Sequence, residues 1–479
     1  MPLGPGYQFA GRQTEIRPAG EPGTLHVRVV DHLVNAGDRK LDSLEVRLPQ
    51  GPAFGTRNLR VAVEGKEIQP QQSSTVDQRM MRAAFVSSWE QRQRSLIVTE
   101  WDLAPKSPAR GSVAATAEGF YIADETALPI WQTPPGIFSV GTPSPDRELL
   151  TVFAPPDFRI LAPGKALKRG KSGPGNLAPQ SFRIRPDRDF LPYVIAGRYQ
   201  ELPLRERDDS VTFWTFRPLD PQAAKTAAAR MASSMRALSD YFGPLTNGKP
   251  SVHIVESPAD MPIEFEGVEN VSPDGLPASP TDPGAIADSA HGANSFPGGV
   301  LLDSRAFAQG IDGEAVLQLA EYELTRTWFG WRVRSTPEAQ ILMGRGVGLF
   351  GLVVAAESRG PDERTRMIAS LVERYDRARA IAPDRRLMEQ PVGYSRAERI
   401  SSGYRAALLL VALEDLCGHD ALRQAFRNIV RSRSGDEAGY QELRAAAESA
   451  SGRNLADVFR RWLNQPGIPD EFRARYGRN

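Results

Sequence analysis

A change of pattern near residue 218 limits most what this chain can fold into. Between residue 20 and about 217, short runs rich in Val, Ile, Phe and Thr recur between Gly, Pro, Asp and Ser: TLHVRVV, SLEVRLP, NLRVAVE, MMRAAFV, SLIVTEW, LLTVFAP, SFRIRP, YVIAGRYQEL and SVTFWTF. Several alternate, as Leu25, Val27 and Val29 do against His26, Arg28 and Val30, a period that turns one face to a core and one to solvent. An all-β sandwich or saddle-like domain is predicted over 1–218. From Pro221 the text becomes DPQAAKTAAARMASSMRALSDYFG, rich in helix formers and stopped at Gly243-Pro244. One strand is expected at 251–257 and a loop-rich insertion at 258–299. Helices are expected at 313–332, 337–358, 361–380, 396–416, 419–433, 436–450 and 453–464. The chain reads as multidomain, with an α+β, mostly helical second domain over 219–479.

At 479 residues, a small disulfide-stapled protein is excluded. Lys plus Arg is 59 and Asp plus Glu is 58, so no basic field gathers nucleic acid or anionic lipid, and no nucleic-acid partner is expected. One cysteine, Cys417, and five histidines, His26, His32, His253, His291 and His419, exclude a disulfide framework, a Cys-rich zinc module and a clustered iron–sulfur site. No apolar run reaches the ~18–20 residues of a membrane span. The longest, Val347 to Ala356, is expected to be a buried helix, so no integral membrane segment is expected. MPLGPGYQFAGR has no charged region followed by an apolar one, so no signal peptide is expected at this start. A cytoplasmic protein and an exported one already freed of its signal both fit.

Two motifs fail on context. GKALKRGKS, at 164–172, is one residue too long between Gly164 and Gly170 for a phosphate loop, and Gly173-Pro174-Gly175 follows where a helix should start. A solvated basic loop is expected. Gly346-Val-Gly348-Leu-Phe-Gly351 matches a dinucleotide fingerprint but lies in a helical stretch with no strand before it. Those glycines are expected to pack helices. No G-x-S-x-G elbow supports a hydrolase serine.

The informative stretch is AVLQLAEYELTRTWFGWRVRSTPEAQILMGRGVGLFGLVVAAES, at 315–358. On a helix, Val316, Leu317, Ala320, Leu324 and Trp328 form an apolar stripe, with Tyr322, Glu323 and Arg326 on roughly the opposite face, free to line a cleft. Taken alone, Tyr-Glu-x-x-Arg is an i,i+3 ion pair on a helix surface. With its flanks, the segment resembles the catalytic core of the aminopeptidase N family of zinc aminopeptidases, which are gluzincins. There, an H-E-x-x-H-x-W-F-G helix precedes the glutamate of an N-E-G-F-A helix. Trp328-Phe329-Gly330 matches the W-F-G. MRALSDYFGPLTNGKPSVHIVES resembles the opening of that catalytic domain, SGYRAALLLVALEDLCGHDALRQAF the helix bearing the transition-state tyrosine, and LADVFRRWLNQPGIP, with Trp462, Gly467 and Pro469, the closing motif. The resemblance covers about 220–470 and implies a β-rich first domain followed by a thermolysin-like one.

Carried over residue by residue, the resemblance puts Tyr322, Arg326 and Arg345 at the former zinc-ligand positions and keeps Glu323 as a vestigial general base. Arginine is permanently protonated and has no lone pair for a metal, so zinc is expected to be absent and no other cofactor is implied. Arg326 and Arg345 are expected to take the metal's place and bind Glu323. The tyrosine position falls on Gly403, with Tyr404 one residue away. A one-residue shift turns a helical side chain by about 100°, so a packing role for Tyr404 stands beside a catalytic one. Two segments compete for the substrate-edge strand: Gly267, Glu269 and Asn270, or Gly292, Asn294 and Ser295. The expectation is a catalytically inactive, metal-free protein that binds a peptide or protein partner. The other reading is a peptidase or hydrolase using Glu323, either zinc-dependent or metal-free with the arginines as oxyanion donors.

Overall fold

The computed structural model describes residues 8–37, 40–47, 55–69, 71–72, 80–105, 113–123, 130–132, 148–184, 193–206, 209–245, 251–259, 293–381, 384–389 and 396–476. The chain divides into two compact units, residues 1–199 with 258–262, and residues 200–257 with 263–479.

The first unit is sheet on sheet. Its largest sheet has eight strands in the order Lys165–Ala166, Ala178–Ile184, Glu148–Ala154, Gln8–Pro18, Leu25–Val34, Arg94–Leu103, Thr56–Val63 and Lys66–Ile68. Gln8–Pro18 and Glu148–Ala154 run parallel, and the other pairs are antiparallel. Val27 and Val29, which the alternation points inward, are fully buried with Ile16, Trp101, Phe120, Val152 and Val194 in one core. Phe120 and Val194 come from a second, four-stranded sheet. A further core joins Leu33, Val61 and Ile97 of the large sheet to Leu44 and Trp89 of a third sheet. Residues 164–171 form no helix and Lys165, Lys168 and Lys171 are exposed, as expected of a solvated basic segment, but Lys165–Ala166 pair with Arg183 and Phe182 as a short edge strand rather than a loop.

The second unit opens with a five-stranded sheet in the order Gln200–Glu206, Asp209–Thr215, Ser251–Glu256, Gly299–Leu302 and Ala293–Phe296. The strands at 200 and 209 therefore belong with this unit through their pairing to Ser251–Glu256, and the units divide after Tyr199 rather than after 218. The parallel pair at 209 and 251 needs a crossover, which helix α1, Pro221–Phe242, supplies. Asp220 caps α1 through the amide of Ala223, and Gly243 ends it at φ 98°. The strand expected at 251–257 is present. Within 258–299, the described part is a correction to the loop reading: Ala293–Phe296 and Gly299–Leu302 form an antiparallel hairpin turned at Gly298, φ +85°. The rest of that segment, from 260 to 292, lies outside the described residues.

The helices follow as α2 (Ser304–Gln309), α3 (Glu314–Thr325), a π-helical turn (Gln340–Gly346), α4 (Val347–Glu357), α5 (Pro361–Ile381), α6 (Arg396–Cys417), α7 (His419–Ser432), α8 (Tyr440–Ser451), α9 (Ala456–Asn464) and α10 (Asp470–Tyr476). The helix expected to reach 332 stops at Thr325, and the Trp328-Phe329-Gly330 turn wedges against the end of α1. Trp328 Nε1 donates to the Gly243 carbonyl at 2.7 Å, and Phe329 meets Phe242 and Phe426 at ring separations of 5.6 and 5.4 Å. The segment Pro337–Glu357 is long and apolar enough to cross a membrane, but 83% of its most apolar window is buried within the fold. The three glycines of the false fingerprint pack as expected. A β-carbon at Gly346 would come within 2.6 Å of Ala406, at Gly348 within 2.6 Å of the Tyr322 ring, and at Gly351 within 2.0 Å of Thr325 Oγ1.

Candidate functional site

Helix α3 is buried over its whole circumference, not along one stripe. Tyr322, Glu323 and Thr325 are 1%, 0% and 0% exposed, because α4 lays Gly348 and Gly351 against Tyr322 and Thr325 and the edge strand Ala293–Phe296 packs beside α3. Arg326, at the C-cap, is the partly exposed member of the group. Its Nη1 donates to both carboxylate oxygens of Glu323, at 3.0 and 2.9 Å. Its guanidinium carbon lies 6.0 Å from the Tyr322 ring centre, within range of a cation–π contact.

Arg345 sits in the π-helical turn, a rare backbone form that recurs at functional sites. Its stem runs across the face of α6 at Gly403, where a β-carbon would stand 2.4 Å from Cδ and 2.7 Å from Cγ of Arg345. Tyr404 is 1% exposed. Its neighbour Arg405 is fully buried and donates to the carbonyls of Trp462, Gln465 and Arg385 and to Asp384. Asp384 also accepts from Tyr375 and from the Gly467 amide. Arg405 is thus the clamp that fastens the Trp462–Gly467 segment to α6.

Of the two candidate edge strands, Gly267, Glu269, Asn270 and Gly292 lie outside the described residues. Asn294 and Ser295 sit on the outermost strand of the second unit's sheet, where the Ser295 carbonyl accepts from Trp331 Nε1 at 3.0 Å.

Two polar clusters escaped the sequence reading. Glu321, fully buried on α3, accepts from Arg230 Nε at 2.8 Å, Ser234 Oγ at 2.6 Å and Arg359 Nη1 at 3.0 Å. Burial alone would pull the Arg230 guanidinium down, but its bonds to Glu321 and Glu314 hold it above its usual range. Glu414, near the end of α6, accepts from Tyr241 and His419, each at 2.9 Å, and from Arg364. Burial would raise Glu414; its bonds to His419 and Arg364 keep it below the usual carboxylate value. Apart from His419, five residues from Glu414, these partners are distant in sequence, so only chain folding reveals them.

The donor set at Tyr322, Arg326 and Arg345 does not fit a zinc ion. Two of its three groups are cations without lone pairs, and one of those cations already engages both oxygens of Glu323. Glu357, Glu414 and His419 bring ligand atoms within 4.8 Å of one another. There, Arg364 and Tyr241 already serve the Glu414 oxygens, which makes this an ion-pair cluster.

No family model matches the sequence, and no curated protein matches it. Among solved structures, the chain is similar to an M1 zinc metallopeptidase from Deinococcus radiodurans, with a TM-score of 0.64 and 16% identity over 98% of this chain and 95% of that one. A variant of that peptidase bound to a Tyr-Ser-Ala substrate gives a TM-score of 0.63 at 16% identity, over 97% and 95% of the two chains. A two-domain M1 zinc metallopeptidase variant bound to L-arginine gives 0.64 at 16%, again over 97% and 95%.

Proposed function

We propose, for a chain with the fold of two-domain M1 zinc metallopeptidases, that it is a metal-free, catalytically inactive member of that architecture, which binds a peptide or protein partner through the region around α3, the π-helical turn and the sheet edge. The observation that carries this reading is the two-point hydrogen bond from Arg326 to Glu323. A general base must be free to take a proton from water or substrate. Here both carboxylate oxygens already accept from a cation, inside a buried helix. Ala293–Phe296 is the outermost strand of the sheet, the position at which an extended chain would add, with the Ser295 amide and carbonyl already held by Asn294 Oδ1 and Trp331 Nε1. The test pairs turnover with binding. A panel of aminoacyl reporters, with and without zinc, should give no turnover, while a peptide library displayed against the immobilised protein should give saturable binders. Chelator-sensitive turnover lost in Glu323→Gln would overturn the reading.

A further inference from the structure

The helix pair α5 and α6 treats its two buried arginines in opposite ways. Arg405, on α6, has its charge met by Asp384 and three carbonyls. Arg374, in the middle of α5, is 3% exposed, and its Nε, Nη1 and Nη2 are all buried without a hydrogen bond. None of the acidic groups near it in sequence hydrogen-bonds it. Glu373 is exposed, Asp376 holds Arg473 at 2.5 and 2.8 Å, and Asp384 holds Tyr375 and Arg405 through Oδ2, while its Oδ1 is buried without a hydrogen bond. Along α5, the positions one turn before and after Arg374 are Leu371 and Ala378, both buried and apolar. On α6, which packs against α5, Ser402 Oγ is likewise buried without a partner.

A buried charge without a counter-charge is among the costliest features a fold can carry. A guanidinium is a planar fork shaped for two oxygens of a carboxylate or phosphate. We propose that Arg374 anchors an oxyanion-binding site, with Ser402 as a neutral second donor, and that the ligand is a small carboxylate or phosphate. The proposal does not depend on the function proposed for the Glu323 region.

Thermal melting of the whole chain, titrated with inorganic phosphate and separately with acetate against sodium chloride at matched ionic strength, tests the assignment. The wild type should show a saturable rise in Tm of several degrees with at least one of the two, and the one that acts identifies phosphate or carboxylate as the ligand chemistry. Arg374→Met should lose that response while melting no lower than wild type in chloride, because it removes a bare buried charge. Ser402→Ala should weaken the anion's half-saturation several-fold; an unchanged value removes Ser402 from the site. The assignment is overturned if neither anion shifts the wild type, or if Arg374→Met keeps the shift. It is equally overturned if Arg374→Met melts far lower in chloride, as expected of a guanidinium paired within the chain. Should Arg374→Met fail to fold, calorimetric titration of phosphate and acetate into wild type decides, no heat of saturable binding being the refuting result.

Discussion

Arg326 and Glu323 are joined through a single nitrogen, Nη1, which donates to both carboxylate oxygens at 3.0 and 2.9 Å across one turn of helix end. The carboxylate is buried and the guanidinium is about a third exposed, so the two partners are not equivalent. Losing the arginine takes a two-point hydrogen bond from a buried charge; losing the carboxylate leaves a cation with a path to water.

Arg326→Met should accordingly lower unfolding stability by about 2–3 kcal/mol, and Glu323→Gln by clearly less. Chemical denaturation of the two variants and their double variant measures this, the double-mutant cycle isolating the pair. Equal losses from both single variants would contradict the asymmetry.

Arg345 and Gly403 form a steric pair. A β-carbon at 403 would stand 2.4 Å from Arg345 Cδ, so Gly403→Ala should cost about 1–3 kcal/mol by overpacking, despite the better helix propensity of alanine. In an Arg345→Ala background the same change should become neutral or stabilising. Gly20→Ala, at a position with nothing within 4 Å, is the control. A Gly403→Ala loss that survives Arg345→Ala would refute the pairing.

His253 governs an acid-side loss. Burial pulls its imidazole down to about 4, and Trp214 Nε1 donates to its Nδ1 at 3.2 Å, which places the neutral ring's proton on Nε2. A group whose pKa is depressed by folding contributes stability that is complete above its unfolded value near 6.5 and is lost as pH falls toward 4. The loss attributable to His253 should reach about 3 kcal/mol. Denaturation midpoints between pH 7 and 4 should fall in wild type and flatten in His253→Gln.

His419 works in the other direction. Its hydrogen bond to Glu414 raises it above its usual 6.5, so the stability it contributes is full below pH 6.5 and is lost as pH climbs through the raised value. Nuclear magnetic resonance titration of the imidazole should place it above 6.5 in wild type and nearer 6.5 in Glu414→Gln. An unshifted wild-type imidazole would contradict the contact.

The sequence carried the fold at the level where periodicity speaks. Alternation located the strands of the first unit, and helix formers with a Gly-Pro stop located α1, because burial of one face fixes both patterns. It also identified Gly346, Gly348 and Gly351 as packing positions. The division after Tyr199 was not legible, since strand pairing, not strand pattern, assigns residues 200–215 to the second unit's sheet. At the site, Glu323 and Arg326 could be paired from their spacing alone. The π-helical turn under Arg345 and the close approach of its stem to Gly403 could not, because both depend on how α6 lies across that turn.

Under the proposed function, this fold works without zinc at Tyr322, Arg326 and Arg345. The direct test is metal content by elemental mass spectrometry after incubation of the intact protein with excess zinc and gel filtration, in wild type and in Arg326→Ala. Far less than one zinc per chain is expected in both. One tightly held zinc per wild-type chain, lost when Tyr322 is changed to Phe, would contradict it.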